Sequence, residues 1–130
     1  MIYLDTSALV KLVFEEAESS ALTQWLLDRF EVPKISSQVA PVELLRACRR
    51  LDETAVPTAA QLLGGLDLLP IDRDVLEHAV TISPSELRSL DAIHLASALS
   101  IHYTLTAFVA YDARLCSAAH EAGLTVESPR

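Results

Sequence analysis

Paired cysteines, long uncharged runs and a surplus of basic residues are what this chain of 130 residues lacks. Cys48 and Cys116 are its only two cysteines. They lie far apart, each inside a helical pattern, and read as reduced thiols rather than a disulfide framework or a zinc spacing. His78, His94, His102 and His120 are scattered, without the i,i+4 pair of a helical zinc site, which argues against a histidine metal centre. No stretch approaches the roughly 18 uncharged residues that mark a membrane span. Asp5 and Lys11 interrupt the N-terminal segment, so no secretory signal is readable and a cytoplasmic location is expected. Lys and Arg number 10 against 18 Asp and Glu, for a net charge of −8. Broad electrostatic binding of nucleic acid rests on many cationic contacts to phosphate, and this balance argues against it. It does not exclude an enzyme that engages a few phosphates through metal ions, and it suits a basic protein partner.

What is present is aliphatic. Apolar residues make up 51% of the chain and aromatic ones 5%, which describes an ordered protein with a core of Leu, Ile, Val and Ala. The length matches one domain over residues 1–130, with no internal repeat, low-complexity tract or linker. Ile2 to Leu4 reads as a first strand and Ser7 to Phe14 as a short helix. Glu16 to Phe30 reads as a longer helix, in which Trp25 fills the core. Lys34 to Ser36 is a second strand, and Val39 to Leu51 a third helix with Pro41 in its first turn. Pro57 to Leu63 is a helix ended by Gly64 and Gly65. Leu66 to Ile71 follows as a strand, and Asp72 is placed to cap a helix over Asp74 to Ile82. Leu90 to Ile101 is apolar on most sides and reads as a buried helix. Ala107 to Ala110 is a strand, Ala113 to Ala122 a helix, and Thr125 to Glu127 a last strand. Strands separated by helices require parallel pairing, and in such sheets ligands collect beyond the carboxyl ends of the strands.

Four acids stand out against this pattern. Asp5 and Asp112 each follow an apolar strand, Glu43 lies in the first turns of a helix, and Asp91 opens the most apolar helix. Taken singly, each has a structural explanation, because Asp is a favoured N-cap and acids in a first turn complement the helix dipole. Taken together they share one edge of a parallel sheet. Two carboxylates ~4 Å apart at an effective dielectric near 20 repel by roughly 4 kcal/mol. A gathering of four must therefore take up protons or bind cations. Oxygen donors without histidine or thiolate suit Mg²⁺ or Mn²⁺, and hard ions held this way serve phosphodiester cleavage. Arg46 and Arg50 follow Glu43 on roughly its own helix face. They read either as contacts to phosphate or a partner, or as solvated surface; Lys11 reads as ordinary surface.

The segments MIYLDTSALVKL, PVELLRA, LDAIHLASAL and FVAYDARLCSAAHEAGL, in this order from Met1 to about Val126, resemble the four acidic motifs of PIN-domain ribonucleases. The spacing is most similar to the VapC-type toxins of toxin–antitoxin pairs. That resemblance implies a three-layer α/β/α sandwich with a mostly parallel five-stranded sheet. It implies Mg²⁺- or Mn²⁺-dependent endoribonuclease activity, with Asp5 and Asp91 as metal ligands and Glu43 and Asp112 completing the catalytic site. It also implies a homodimer and a VapB-like antitoxin through which the complex contacts DNA. Ala110 departs from the family, which often has Thr or Ser two residues before its last Asp; Thr6 or Ser7 is placed to supply a supporting hydroxyl from the other side. Two rival readings are weaker. A phosphorelay receiver needs an acid pair after its first strand and a late lysine, and here one acid stands there and no lysine follows Lys34. A non-catalytic PIN-like module that only docks a basic partner has no need of all four acids.

Overall fold

Residues 1–130 are described in a computed structural model. The chain runs β1 (Ile2–Leu4), α1 (Thr6–Val13), α2 (Ser19–Leu27), β2 (Lys34–Ser37) and α3 (Ala40–Leu51). A single 3₁₀ turn, Glu53–Ala55, leads into α4 (Val56–Gly64), β3 (Asp67–Leu69), α5 (Arg73–Thr81) and α6 (Ser89–Ser100). It ends with β4 (Ala107–Val109), α7 (Ala113–Glu121) and β5 (Val126–Glu127).

The five strands lie in the order β3-β2-β1-β4-β5, and all four pairings are parallel. Side chains alternate across a pleated strand, and both central strands are covered on both faces. Ile2, Leu4, Ala107 and Val109 face one way, into a core completed by Leu9, Leu22, Leu44, Cys48 and Leu63 from α1 to α4. Tyr3, Phe108 and Ala110 face the other way, into a second core with Leu95, Ala98, Leu115 and Ala119 from α6 and α7. The result is the expected α/β/α sandwich, and Trp25 packs against the first core.

Several boundaries differ from the sequence reading. The helix expected over Glu16 to Phe30 is confined to Ser19–Leu27. Its front is replaced by a turn in which the Ser19 hydroxyl accepts from the Glu16 N–H and donates to the Phe14 carbonyl. Its end breaks into tighter three-residue turns at Arg29 and Phe30. The strand expected over Leu66 to Ile71 pairs only through Asp67–Leu69, since Pro70 brings no N–H to the ladder. Lys11 is not ordinary surface. Its side chain is 12% exposed and its ammonium bonds Glu16 and Glu18 at 2.7 and 2.9 Å.

From β1 the chain first winds toward β3, and later returns to place β4 on the opposite flank of β1. The winding direction reverses between β1 and β4, and such switch points open a crevice at the strands' carboxyl ends. Asp5 follows β1 directly, and Asp112 lies three residues beyond β4.

Candidate active site

Four helices begin at that crevice, and each delivers one of the acids. Asp5 is the N-cap of α1 and Asp112 the N-cap of α7. Glu43 and Asp91 lie in the first turns of α3 and α6. The positive ends of these helices offset part of the negative charge brought together there. The crevice has a volume of about 480 Å³ and is walled by Asp5, Glu43, Asp91 and Asp112, with Thr6, Arg46, Arg50 and Arg88 among the remaining residues. A larger hollow of about 590 Å³ lies between the Pro84 segment and α7, and it contains none of these four acids.

Capping and siting turn out to be compatible, because a carboxylate has two oxygens. Asp5 Oδ1 accepts from the Ala8 N–H at 3.2 Å and from the Ser7 hydroxyl at 2.6 Å. Asp112 Oδ1 accepts from the Leu115 N–H at 3.0 Å. Glu43 Oε1 takes the Thr6 hydroxyl at 2.8 Å and faces His94 Nε2 at 2.6 Å. In each case one oxygen holds the fold together and the other makes no hydrogen bond within the protein. The only buried side-chain oxygen or nitrogen without a partner is Ser97 Oγ, so the uncommitted carboxylate oxygens all reach the solvent of the crevice.

The hydroxyls beside Asp5 link the elements. Ser7 Oγ accepts from the Tyr111 N–H at 2.9 Å while donating to Asp5, so it joins the turn after β1 to the turn after β4. Ala110 has no hydroxyl of its own, and Ser7 reaches this turn from the α1 side. Thr6 performs the same joining between α1 and α3 through Glu43.

Electrostatics separate the acids. Asp5 is 3% exposed, and burial pushes its carboxyl above the usual carboxylate range despite the opposing influence of His94 and the Ser7 and Ala8 bonds. Burial also pushes Glu43 up. There, hydrogen bonding to His94 and Thr6, with the electrostatic influence of His94 and the Arg88 guanidinium, more than offsets it and leaves Glu43 below the usual range. Arg88 serves as a cation at the mouth. Its Nε bonds Asp91 Oδ2 at 3.0 Å and its Nη2 lies 3.8 Å from Asp112 Oδ2. In this arrangement no three Asp, Glu, His or Cys groups surround one point closely enough to hold an ion. The donor set itself is all oxygen, which fits a hard divalent ion, and Arg88 is 73% exposed, free to swing aside.

Two residues at this site escaped the sequence reading. His94 was grouped with three histidines that are all exposed, although it alone is buried. Its visible signal was a polar ring one helical turn after Asp91 in an otherwise apolar helix. Arg88 had only its position three residues before Asp91.

Fold and crevice together define a doubly wound parallel α/β protein with an oxygen-only acidic site at its switch point. Residues 2–121 match the family model of the PIN domain. Ribonuclease VapC47 of Mycobacterium tuberculosis is 46% identical over 132 residues, covering 99% of this chain and 97% of that protein. The chain belongs to the PIN-domain family, among the VapC ribonucleases. Ribonuclease VapC46 of the same species is 43% identical over 128 residues, covering 98% of this chain and 97% of that protein. Among solved structures, M. tuberculosis VapC20, described as a sarcin-ricin loop cleaving toxin, aligns with a TM-score of 0.77 at 20% identity, over 99% of this chain and all (100%) of that one. VapBC2 from Rickettsia felis, bound to a DNA fragment from its promoter, aligns with the same TM-score of 0.77 at 12% identity, covering 100% of both chains. At those identities the structural likeness concerns the fold.

Proposed function

We propose that this protein is a divalent-metal-dependent endoribonuclease and the toxin of a VapBC-type toxin–antitoxin pair. The observation that carries this reading is the crevice in which four carboxylates converge while each keeps an oxygen clear of the fold's own hydrogen bonds. Asp5 and Asp91 would hold a Mg²⁺ or Mn²⁺ ion, with Glu43 and Asp112 completing its surroundings. Such an ion supplies polarisation of the scissile phosphate and a lowered pKa for an attacking water.

The chain's own residues supply the rest. Thr6 and Ser7 hold Glu43 and Asp5 in place from α1. Arg88, beside Asp91 at the mouth of the crevice, carries a guanidinium suited to phosphate. Arg46 and Arg50 stand on the crevice wall, where they track the RNA backbone on one flank or receive an acidic segment of the antitoxin. Hydrolysis by water leaves a 5′-phosphate and a 3′-hydroxyl and uses no 2′-hydroxyl as nucleophile. Single-stranded loops are the substrates a small crevice of this kind can engage.

A VapB-like antitoxin is the partner, and the acidic surface leaves DNA contact to it. The toxin is expected to form a homodimer. The direct test is incubation of the purified protein with a single-stranded RNA under Mg²⁺, Mn²⁺ or EDTA. Cleavage is expected only with the ions, with 5′-phosphate ends; undiminished cleavage in EDTA sinks the reading.

A further inference from the structure

Behind the acidic crevice lies a polar chain that the catalytic reading does not use. His94 sits on α6 one turn after Asp91, its side chain 1% exposed. Its Nδ1 meets the Tyr3 hydroxyl at 2.8 Å and its Nε2 meets Glu43 Oε1 at 2.6 Å. Tyr3 lies on the central strand β1, is wholly buried, and stacks on Phe108 of β4 with ring centroids 5.3 Å apart. The imidazole stands edge-on to the Tyr3 ring, with an interplanar angle of 84°. It is therefore fixed by packing on one side and by hydrogen bonds at both nitrogens.

The chemistry of the partners assigns the protons. An ionised carboxylate only accepts, so Nε2 carries a hydrogen and donates it to Glu43. The Tyr3 phenol has a hydrogen to donate as well as an oxygen to accept. In the neutral ring, the hydrogen on Nε2 leaves Nδ1 as the acceptor, and the Tyr3 hydroxyl 2.8 Å away is its donor. The chain thus runs in one direction, from Tyr3 O–H to Nδ1 and from Nε2–H to Glu43 Oε1, and hydrogen bonds in such series strengthen one another. The Thr6 hydroxyl donates to the same Oε1 at 2.8 Å and lies 3.1 Å from Nε2. Glu43 Oε1 is saturated, and only Oε2 is left for the crevice.

We infer that His94 is a positioning residue for Glu43: locked by Tyr3, it pins one carboxylate oxygen and so presets the other toward the metal and water of the reaction. The inference rests on the ribonuclease reading for its consequence, though not for its geometry. Groups that orient a metal's ligands change metal affinity or activity by about 10- to 100-fold when removed, and His94 belongs with them.

The test compares His94→Gln with His94→Asn. Both place an amide at the buried position, but only the longer Gln carries an N–H to where Nε2 stood. Mn²⁺ binding is measured by calorimetry on protein confirmed folded by circular dichroism, alongside kcat and KM for RNA cleavage. His94→Asn is expected to weaken Mn²⁺ binding about 10- to 100-fold and to lower kcat with KM for RNA little changed, while His94→Gln recovers most of both. Equal Mn²⁺ affinity in the two variants overturns the inference, because a merely structural histidine does not distinguish them. Imidazole ¹⁵N shifts of the wild type, without metal, give a second readout independent of folding in the variants. They are expected to show Nε2 protonated and Nδ1 accepting; the opposite tautomer overturns the inference. A wild type that binds no Mn²⁺ and cleaves no RNA refutes the ribonuclease reading instead, and the ¹⁵N result still decides whether His94 orients Glu43.

Discussion

Asp5 and Asp72 carry out the same local task in two regions of the sheet. Each is an N-cap in extended backbone whose Oδ1 accepts from the N–H three residues on, Asp5 from Ala8 at 3.2 Å and Asp72 from Val75 at 2.9 Å. They differ in what surrounds them. Asp5 follows β1, the centre of the sheet, with β2 and β4 on either side. Asp72 follows β3, an edge strand, and is exposed. At the centre, three further helices begin beside α1 and bring Glu43, Asp91 and Asp112 within the same crevice. At the edge nothing converges. Capping is decided by a few neighbouring residues, whereas a gathering of carboxylates is decided by where the strand lies in the sheet.

The largest effect should come from Asp5→Asn. Asn caps a helix about as well as Asp, so α1 keeps its start. Burial already disfavours the Asp5 charge in the folded protein, so at neutral pH the ionised group is a cost that the amide removes. The melting temperature is therefore expected to hold or rise, while Mg²⁺-dependent RNA cleavage falls by more than the roughly 100-fold that loss of a mere supporting group can cause. Cleavage at the wild-type rate by a folded Asp5→Asn protein would return Asp5 to the role that Asp72 has.

The same contrast explains what could be read from the sequence. Strands, most helices and the three Asp caps of α1, α5 and α7 follow from local signals, namely short β-branched and aliphatic runs and the Asp that ends them. The four acids were singled out by the same local context. The strand order was out of reach, because nothing in Ile2–Leu4 or Ala107–Val109 says that these two segments lie side by side. Without that order, the switch point between β1 and β4 cannot be located, and Asp72 differs from Asp5 only by its neighbours in sequence. His94 was lost for a related reason. Metal-site spacing looks for a second histidine nearby, while the partners of His94 are Tyr3 and Glu43, 91 and 51 residues away. The overlong α2 and β3 expectations failed through Ser19 and Pro70, whose backbone effects override an apolar pattern that continues past them.

A smaller effect, of a different kind, is expected at the edge. Asp72→Ala removes the cap of α5 and is expected to cost about 1 kcal/mol of stability, a fall of about 4 °C in melting temperature for a chain of this size. RNA cleavage per folded molecule should not change. Thermal melts read by circular dichroism, with cleavage assayed well below the transition, check both halves. A loss of cleavage beyond the loss of folded protein would mean that the edge of the sheet takes part in the site, and the comparison would fail from its other side.

The smallest effect sharpens the account of the central rim. Arg88 is the cation that the crevice supplies for itself, and on the proposed reading a divalent ion would have to displace it from Asp91. Exposed ion pairs are worth about 0.2–1 kcal/mol, and the 73% exposure of the Arg88 side chain places it in that class. Arg88→Ala should therefore bind Mn²⁺ about one and a half to five times more tightly than the wild type, as the competing guanidinium is gone. Without metal the variant should melt slightly lower, because Asp91 and Asp112 have lost their counter-ion; added Mn²⁺ should raise its melting temperature by more than it raises that of the wild type, since an ion that binds only the folded state stabilises it in proportion to the logarithm of its affinity. Asp72 is not among the residues that wall the crevice, so Asp72→Ala should leave the Mn²⁺ shift as it is in the wild type. Weaker Mn²⁺ binding by Arg88→Ala would mean that the guanidinium holds Asp91 in a binding posture rather than competing for it.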